Sequence, residues 1–329
     1  MAAFPLKQAR ALVRAALAED IGRGDITTNL LVPAKLQSRA VLLAKADGVI
    51  AGLPILALVF GKTVRIKLLT CDGQKIRRGQ HLAELRGQAR ALLTGERTAL
   101  NFIQRLSGIA TLTQRFVAAV CDHRKSINHR RSQTAATIKI LDTRKTTPTL
   151  RALEKYAVAC GGGTNHRFGL YDQILIKDNH LALLRQSSSK LDYITTAICA
   201  ARRKYPRVTL EIEVTTPAEA AEAAAAGADI IMLDNFSPAQ IKKAVQLIVA
   251  AKPFRGGVRD KKQKPRKGFA ATIEISGGVT LANVGKYAAA IRSALKTNPA
   301  ALRAAISIGA LTHSAPALDL SLEVNECSG

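Results

Sequence analysis

The sequence predicts an α/β protein, a barrel of parallel βα units that follows an α+β segment, and two observations carry that prediction. First, β-rich runs at residues 137–142, 173–176, 208–214, 229–233, 272–275 and 304–308 alternate with helical stretches. Second, each run ends in polar residues or glycine: Asp142-Thr143-Arg144-Lys145, Lys177-Asp178-Asn179-His180, Glu211-Ile212-Glu213, Asp234-Asn235, Ser276-Gly277-Gly278 and Gly309. In a closed parallel barrel the strand C-termini build the active site, so these endings would converge on one mouth. An open doubly wound sheet would use the same elements, with fewer of the endings sharing a pocket.

Ahead of these units, residues 6–17 place Leu6, Ala9, Val13, Ala16 and Leu17 at helical spacing, and Gly22 with Gly24 stops the pattern. Short β runs follow at 40–44 and 64–69, with the turn signals Asp72-Gly73 and Arg78-Gly79 between Val49 and Gln80. Residues 89–120 repeat their apolar positions at helix period. Gly95 and Gly108 read there as breaks between helices carrying Arg97, Asn101 and Arg105.

The chain has 329 residues, 47% hydrophobic and 22% charged, which excludes disordered, collagenous and small disulfide-scaffold classes. Its longest apolar stretch, residues 49–60, is interrupted by Gly52 and Pro54 and is too short to cross a bilayer. Five widely spaced cysteines without a CxxC pair read as reduced thiols, and the N-terminus lacks a signal-peptide pattern, so the expected location is the cytoplasm.

A net charge of +25 predicts an anionic partner. Eight cations against two carboxylates lie in residues 121–151, and eight against one in residues 252–267. The second cluster, with Pro253, Gly256, Gly257, Pro265 and Gly268, reads as a solvated loop. The chain has no Trp, and the aromatic stacking platform of a nucleic-acid reader is missing, so specific nucleic-acid binding is not expected.

The converging endings suit a polyanionic substrate. Arg144, Lys145, His166, Arg167 and Lys177 can pair carboxylates or phosphates, with Arg97 and Arg105 reaching the mouth from another domain or subunit. Glu213 and Asp234 supply carboxylates for hydrated Mg2+ or a developing positive charge. Glu211 alternates with Glu213, and the expectation is that one faces into the barrel and the other the helices, Glu211 being structural. Ser276-Gly277-Gly278, before a helical stretch starting near Thr280, offers a phosphate cradle that Gly309 would widen. His180 reads as a helix cap, and His81, His123, His129 and His313 have no metal-ligand pattern and are given no role. Dinucleotide and P-loop glycine patterns are absent.

Ordered strings across nearly the whole chain resemble the quinolinate phosphoribosyltransferase family. They include Glu19-Asp20, Gly95-Glu96-Arg97-Thr98-Ala99-Leu100-Asn101, Leu141-Asp142-Thr143-Arg144-Lys145-Thr146-Thr147-Pro148 and Asn165-His166-Arg167. Ile176-Lys177-Asp178-Asn179-His180, Glu211-Ile212-Glu213-Val214, Leu233-Asp234-Asn235-Phe236, Ser276-Gly277-Gly278 and Gly309-Ala310-Leu311-Thr312-His313-Ser314 continue the match.

The resemblance implies an open parallel α/β barrel, TIM-like, over 109–315, with an N-terminal α+β sandwich domain over 1–108 that residues 316–329 rejoin. It implies phosphoribosyl transfer from phosphoribosyl pyrophosphate to quinolinate with decarboxylation, in de novo NAD biosynthesis, with Mg2+. It also implies a homodimer or higher oligomer with shared active sites. Quinolinate would be held by Arg97 of a partner subunit with Arg144, His166, Arg167 and Lys177. Phosphoribosyl pyrophosphate would be held by Thr143, Lys145, Lys177, Glu213, Asp234, Ser276, Gly277, Gly278 and Gly309. Lys145, Glu213 and Asp234 would be catalytic, and Glu213 with Asp234 would take the metal directly or through water. Residues 123–134, 252–271 and 291–302 look like insertions between matching motifs, so the excess charge is read as an addition to the chemistry.

Overall fold

A computed structural model describes residues 2–121, 138–187, 192–251, 271–296 and 303–325. The whole second basic cluster, half of the first cluster's cations and most of the inserted stretches lie outside the described residues. Two compact units emerge: Met1–Val117 with Lys145–Asn165 and Gly309–Gly329, and Ala118–Arg144 with His166–Ile308.

In the first unit, α1 (Leu6–Ile21) buries Ala9 and Val13 and ends at Gly22, whose φ of 52° turns the chain out of the helix. Asp25 caps α2 (Ile26–Leu31), accepting the Thr28 N–H at 2.9 Å. The sheet is antiparallel, in the order β12 (Leu320–Asn325), β1 (Gln37–Ala44), β5 (His81–Gln88), β3 (Val64–Leu68). Alternate residues of β1 are buried, the period-two signature of a half-covered strand. β2 (Gly48–Val49) and β4 (Lys75–Ile76) form a small second ladder, and α3 (Pro54–Phe60) starts with proline in its first turn.

One helix, α4 (Ala89–Val120), runs unbroken for 32 residues, so the breaks expected at Gly95 and Gly108 do not occur. These glycines serve contact instead of termination. A β-carbon on Gly95 would stand 2.7 Å from Phe60 Cε1, and one on Gly108 would meet the Pro316 backbone, 2.9 Å from its carbonyl carbon. α5 (Arg151–Cys160) and the short α11 (Ala310–His313) also belong to this unit.

The second unit is a six-stranded parallel sheet. Its order is β6 (Ile138–Leu141), β11 (Arg303–Ser307), β10 (Thr272–Ser276), β9 (Ile230–Asp234), β8 (Leu210–Val214), β7 (Ile174–Ile176). From β11 to β7 the order descends without reversal, which excludes the doubly wound alternative with its central switch point. Among the described residues no ladder joins β6 to β7, so the sheet is open, as the family resemblance implies, and not the closed form of the parallel barrel. Asp142, just after β6, accepts the His166 N–H at 2.8 Å and so ties the end of that strand to the segment that leads into β7.

Helices α6 (Asp178–Ser187), α7 (Tyr193–Lys204), α8 (Pro217–Ala226), α9 (Pro238–Ala250) and α10 (Val284–Lys296) connect the strands. Capping boxes start two of them: Thr216 with Glu219 on α8, and Ser237 with Gln240 on α9, each followed by proline at the first helical position. The strand interiors are fully buried aliphatics such as Ile212, Ile231, Leu233, Ile273, Ile275 and Ile306, as both-face burial of a parallel sheet requires. No described helix is long and apolar enough to cross a membrane.

Candidate active site

Strand register decides which polar residues share a face. Glu213 pairs with Met232 and Met232 with Glu274, while Asp234 pairs with Ser276 one step further on. Residues two apart on a strand point the same way, so Glu211 and Glu213 lie on one face, and the expectation that they point apart is overturned. Burial separates them instead: Glu211 is fully buried and Glu213 is half-buried nearer the strand end.

Around Glu211 the unit builds a polar layer. His166 Nε2 lies 3.0 Å from Glu211 Oε2 and 3.5 Å from Glu274 Oε1, and His166 Nδ1 accepts the Arg167 backbone N–H at 2.8 Å. Gln173 donates its side-chain N–H to Glu211 Oε2 at 2.5 Å, and the Arg167 guanidinium donates to the Gln173 carbonyl at 3.1 Å. The His166 ring thus has Nδ1 hydrogen-bonded and Nε2 facing two buried carboxylates within the unit.

Arg167 is buried, and its guanidinium is held below its ordinary pKa by desolvation and then by the neighbouring positive charge of Arg144. A desolvated guanidinium beside a second positive charge is relieved by an anion. Asp172 supplies part of that relief and fixes the adjoining turn by accepting the N–H groups of Phe168 and Gly169.

Toward the strand ends, Glu213 is pushed above the usual carboxylate range, first by burial and then by the Asp234 charge, with Lys177 opposing. Two neighbouring hard oxygen donors in this state fit a divalent cation such as Mg2+. Lys177 itself is exposed, and its backbone N–H is accepted by His180 Nδ1 at 2.9 Å, which agrees with reading His180 as a cap at the start of α6.

The glycine turn after β10 has φ of 91° at Gly277 and 58° at Gly278. Asn235 packs beneath it, its own φ at 56°, donating its backbone N–H to the Ser276 carbonyl at 2.9 Å and its side chain to Asp234 at 2.8 Å. Asn283 donates to the Gly278 carbonyl at 2.9 Å, and α10 begins at Val284, not near Thr280. The cradle is therefore a side-chain-braced turn before the helix.

In the first unit, Lys145 lies over Gly309: a β-carbon there would come within 2.9 Å of Lys145 Cδ and 3.2 Å of His313 Nε2. Thr312 Oγ1 donates to the Lys145 carbonyl at 2.8 Å. Arg97 is exposed on α4. Arg105 is spent on structure, donating to fully buried Glu154 at 2.9 Å and to the carbonyls of Thr312 and Ala315. Thr143 and Arg144 lie half-buried in the second unit. Sequence reasoning passed over Asn235, Glu274 and His313. Asn235 and His313 stood inside quoted strings, and Glu274 carried a signal only in being a carboxylate two residues before the glycine turn.

The quinolinate phosphoribosyl transferase N-terminal domain matches residues 25–107 and its C-terminal domain residues 109–323. The chain belongs to the quinolinate phosphoribosyltransferase family. Among relatives in that family, a probable nicotinate-nucleotide pyrophosphorylase [carboxylating] of Bacillus subtilis (strain 168) is 40% identical, covering 93% of this chain and 90% of that one. The nicotinate-nucleotide pyrophosphorylase [carboxylating] of Mycobacterium leprae is 35% identical, covering 96% and 97%. The solved structure of the nicotinate-nucleotide pyrophosphorylase from Francisella tularensis aligns with a TM-score of 0.77 at 34% identity, over 98% of this chain and 97% of that chain.

Proposed function

We propose that this quinolinate phosphoribosyltransferase moves the phosphoribosyl group of phosphoribosyl pyrophosphate onto quinolinate, giving nicotinate mononucleotide, pyrophosphate and carbon dioxide, in de novo NAD biosynthesis. The observation that carries the reading is buried Arg167 beside Arg144 in the same unit as the Glu213–Asp234 carboxylate pair. Clustered cations ask for a substrate with several negative charges, and paired carboxylates suit a centre that becomes positive.

Quinolinate is assigned to Arg144, Arg167 and Lys177, with His166 in the same group as the residue that ties down Arg167, and with Arg97 contributed by a second subunit of a homodimer. Phosphoribosyl pyrophosphate is assigned to Thr143, Lys145, Lys177, Glu213, Asp234, Ser276, Gly277, Gly278 and Gly309. Aligning the ring nitrogen with the anomeric carbon is worth up to about 7–11 kcal/mol. The nitrogen lone pair forms the new C–N bond as the anomeric C–O bond breaks and pyrophosphate leaves. The quaternary nitrogen then accepts the electron pair released when the adjacent carboxylate departs as carbon dioxide, and a proton replaces it on the ring.

Glu213 and Asp234 would hold Mg2+, directly or through water, and the ion would offset the charge of the diphosphate. Lys145 would hold the leaving phosphates. The cytoplasm is the proposed location, in keeping with five widely spaced cysteines that read as reduced thiols.

The test supplies purified protein with phosphoribosyl pyrophosphate, Mg2+ and either quinolinate or nicotinate. Equal amounts of nicotinate mononucleotide and carbon dioxide from quinolinate, and nothing from nicotinate, are expected. Product from nicotinate would move the assignment to a transferase with another acceptor.

A further inference from the structure

The polar layer behind the cations is built in a way that substrate contact alone does not explain. A backbone N–H only donates, so the Arg167 N–H that reaches His166 Nδ1 requires a lone pair there, and the ring proton sits on Nε2, facing Glu211 and Glu274. The three side chains have metal-ligand spacing. A protonated Nε2 has no lone pair for a cation, however, and moving the proton to Nδ1 would set it against the Arg167 N–H. The cluster therefore holds protons and not a metal.

Two buried carboxylates facing one neutral imidazole do not both stay ionised. Glu211 has the stronger donor: Gln173 bonds its Oε2 at 2.5 Å, and His166 Nε2 lies 3.0 Å from the same oxygen. Glu274 is 1% exposed and fully desolvated, and beside the Glu211 charge it has, among the described residues, only the Ser307 hydroxyl to offer it a proton. The proton therefore resides on Glu274. We propose that Glu274, Glu211 and His166 form a proton-holding strut that fixes the Arg167 backbone, with Glu274 and His166 acting as positioning residues for the quinolinate carboxylates. The proposal rests on the functional reading above for the identity of that ligand, and on geometry for the strut itself.

Burial and then the Glu211 charge push Glu274 up to about 8. The groups facing it are Asp142 after β6, His166 on the approach to β7, Glu211 on β8 and Ser307 on β11. β9 places uncharged Met232 at its level. A carboxyl raised in the folded state favours folding at low pH, and that contribution is lost as pH rises from about 4.5 to about 8. Above that window the ionised pair strains the strut.

The experiment compares the wild-type chain with Glu274→Gln, which keeps the shape of the protonated acid. Between pH 5 and 8 the melting temperature of the wild type should fall relative to the variant. The wild-type KM for quinolinate should rise about tenfold per pH unit above about 8 with kcat steady, and the variant's KM should stay flat. On wild-type protein, 15N shifts of the His166 ring should show the Nε2–H tautomer without any substitution. An Nδ1–H tautomer, parallel pH profiles for the two proteins, or Zn2+ or Mn2+ binding abolished by Glu274→Gln would each overturn the strut. If quinolinate is not turned over at all, the functional reading fails, while the melting and 15N comparisons still decide the strut.

Discussion

Asn235 lies directly beneath Gly277, so that a β-carbon added to the glycine would press on the Asn235 amide and stand 2.9 Å from its backbone nitrogen. The contact joins the end of β9 to the turn after β10, and it forces the turn into a conformation, φ 91°, that only glycine adopts cheaply. Gly277→Ala should cost roughly 1–2 kcal/mol of stability from the backbone alone. It should also raise KM for phosphoribosyl pyrophosphate while leaving the quinolinate Kd unchanged. Calorimetric titration of the two ligands separates the effects, and an equal loss for both would remove the turn from the donor side.

The Arg144 charge adds to the strain on the buried Arg167 guanidinium, and the functional reading assigns both to the quinolinate carboxylates. Arg144→Ala should weaken quinolinate binding by about 2–5 kcal/mol, the cost of leaving a desolvated carboxylate without its partner. Unchanged quinolinate affinity would take Arg144 out of the binding group.

Glu154 fixes the chain next to Lys145. It is fully buried and accepts from the Thr147 N–H at 3.0 Å, the Thr147 hydroxyl at 2.8 Å and Arg105 at 2.9 Å. Glu154→Ala would strand the Arg105 charge and the Thr147 donors, a loss of about 3–5 kcal/mol for a broken buried pair. A melting temperature within a degree or two of the wild type would show that water or another group replaces the carboxylate.

The strand endings were legible because a parallel barrel puts function at one end of every strand. Asp142, Lys177, Glu213, Asp234 and Gly277 could thus be picked out from a repeated β-run followed by polar residues. Gly95 and Gly108 were misread because a sequence does not show what approaches a helix from outside. Phe60 and Pro316 come from distant parts of the chain, and only their contact explains the missing side chains. Glu211 was misplaced by reading alternation as opposition, when a spacing of two returns to the same face. The surroundings of the His166 ring depend on Glu211 and Glu274, the second more than a hundred residues away, and on the Arg167 backbone, and their meeting leaves no mark in a motif.

Thiol chemistry offers a check on burial that is independent of catalysis. Burial raises Cys160 to about 11, while Cys71 and Cys121 are exposed. Since the thiolate is the reactive form, about one in a thousand Cys160 side chains is reactive at pH 8. A disulfide reagent at pH 8 should label Cys71 and Cys121 rapidly, with Cys160 reacting only on unfolding. Rapid labelling of Cys160 in the native protein would contradict its packing against Tyr156 and Asp72.

Exposed Arg97 and exposed Lys177 sit in different compact units, and the functional reading assigns them to one quinolinate through two subunits. Arg97→Ala and Lys177→Ala should each be inactive, since each leaves a substrate carboxylate short of a cation. In a mixed dimer one of the two sites receives both substitutions and the other receives neither. Random exchange between equal amounts of the two variants makes half of the dimers mixed, each with one intact site. About a quarter of wild-type activity should therefore return, by simple counting of sites in a closed two-fold assembly. Subunit exchange confirmed by a size or affinity tag, with no activity regained, would assign Arg97 to its own subunit's site or to none.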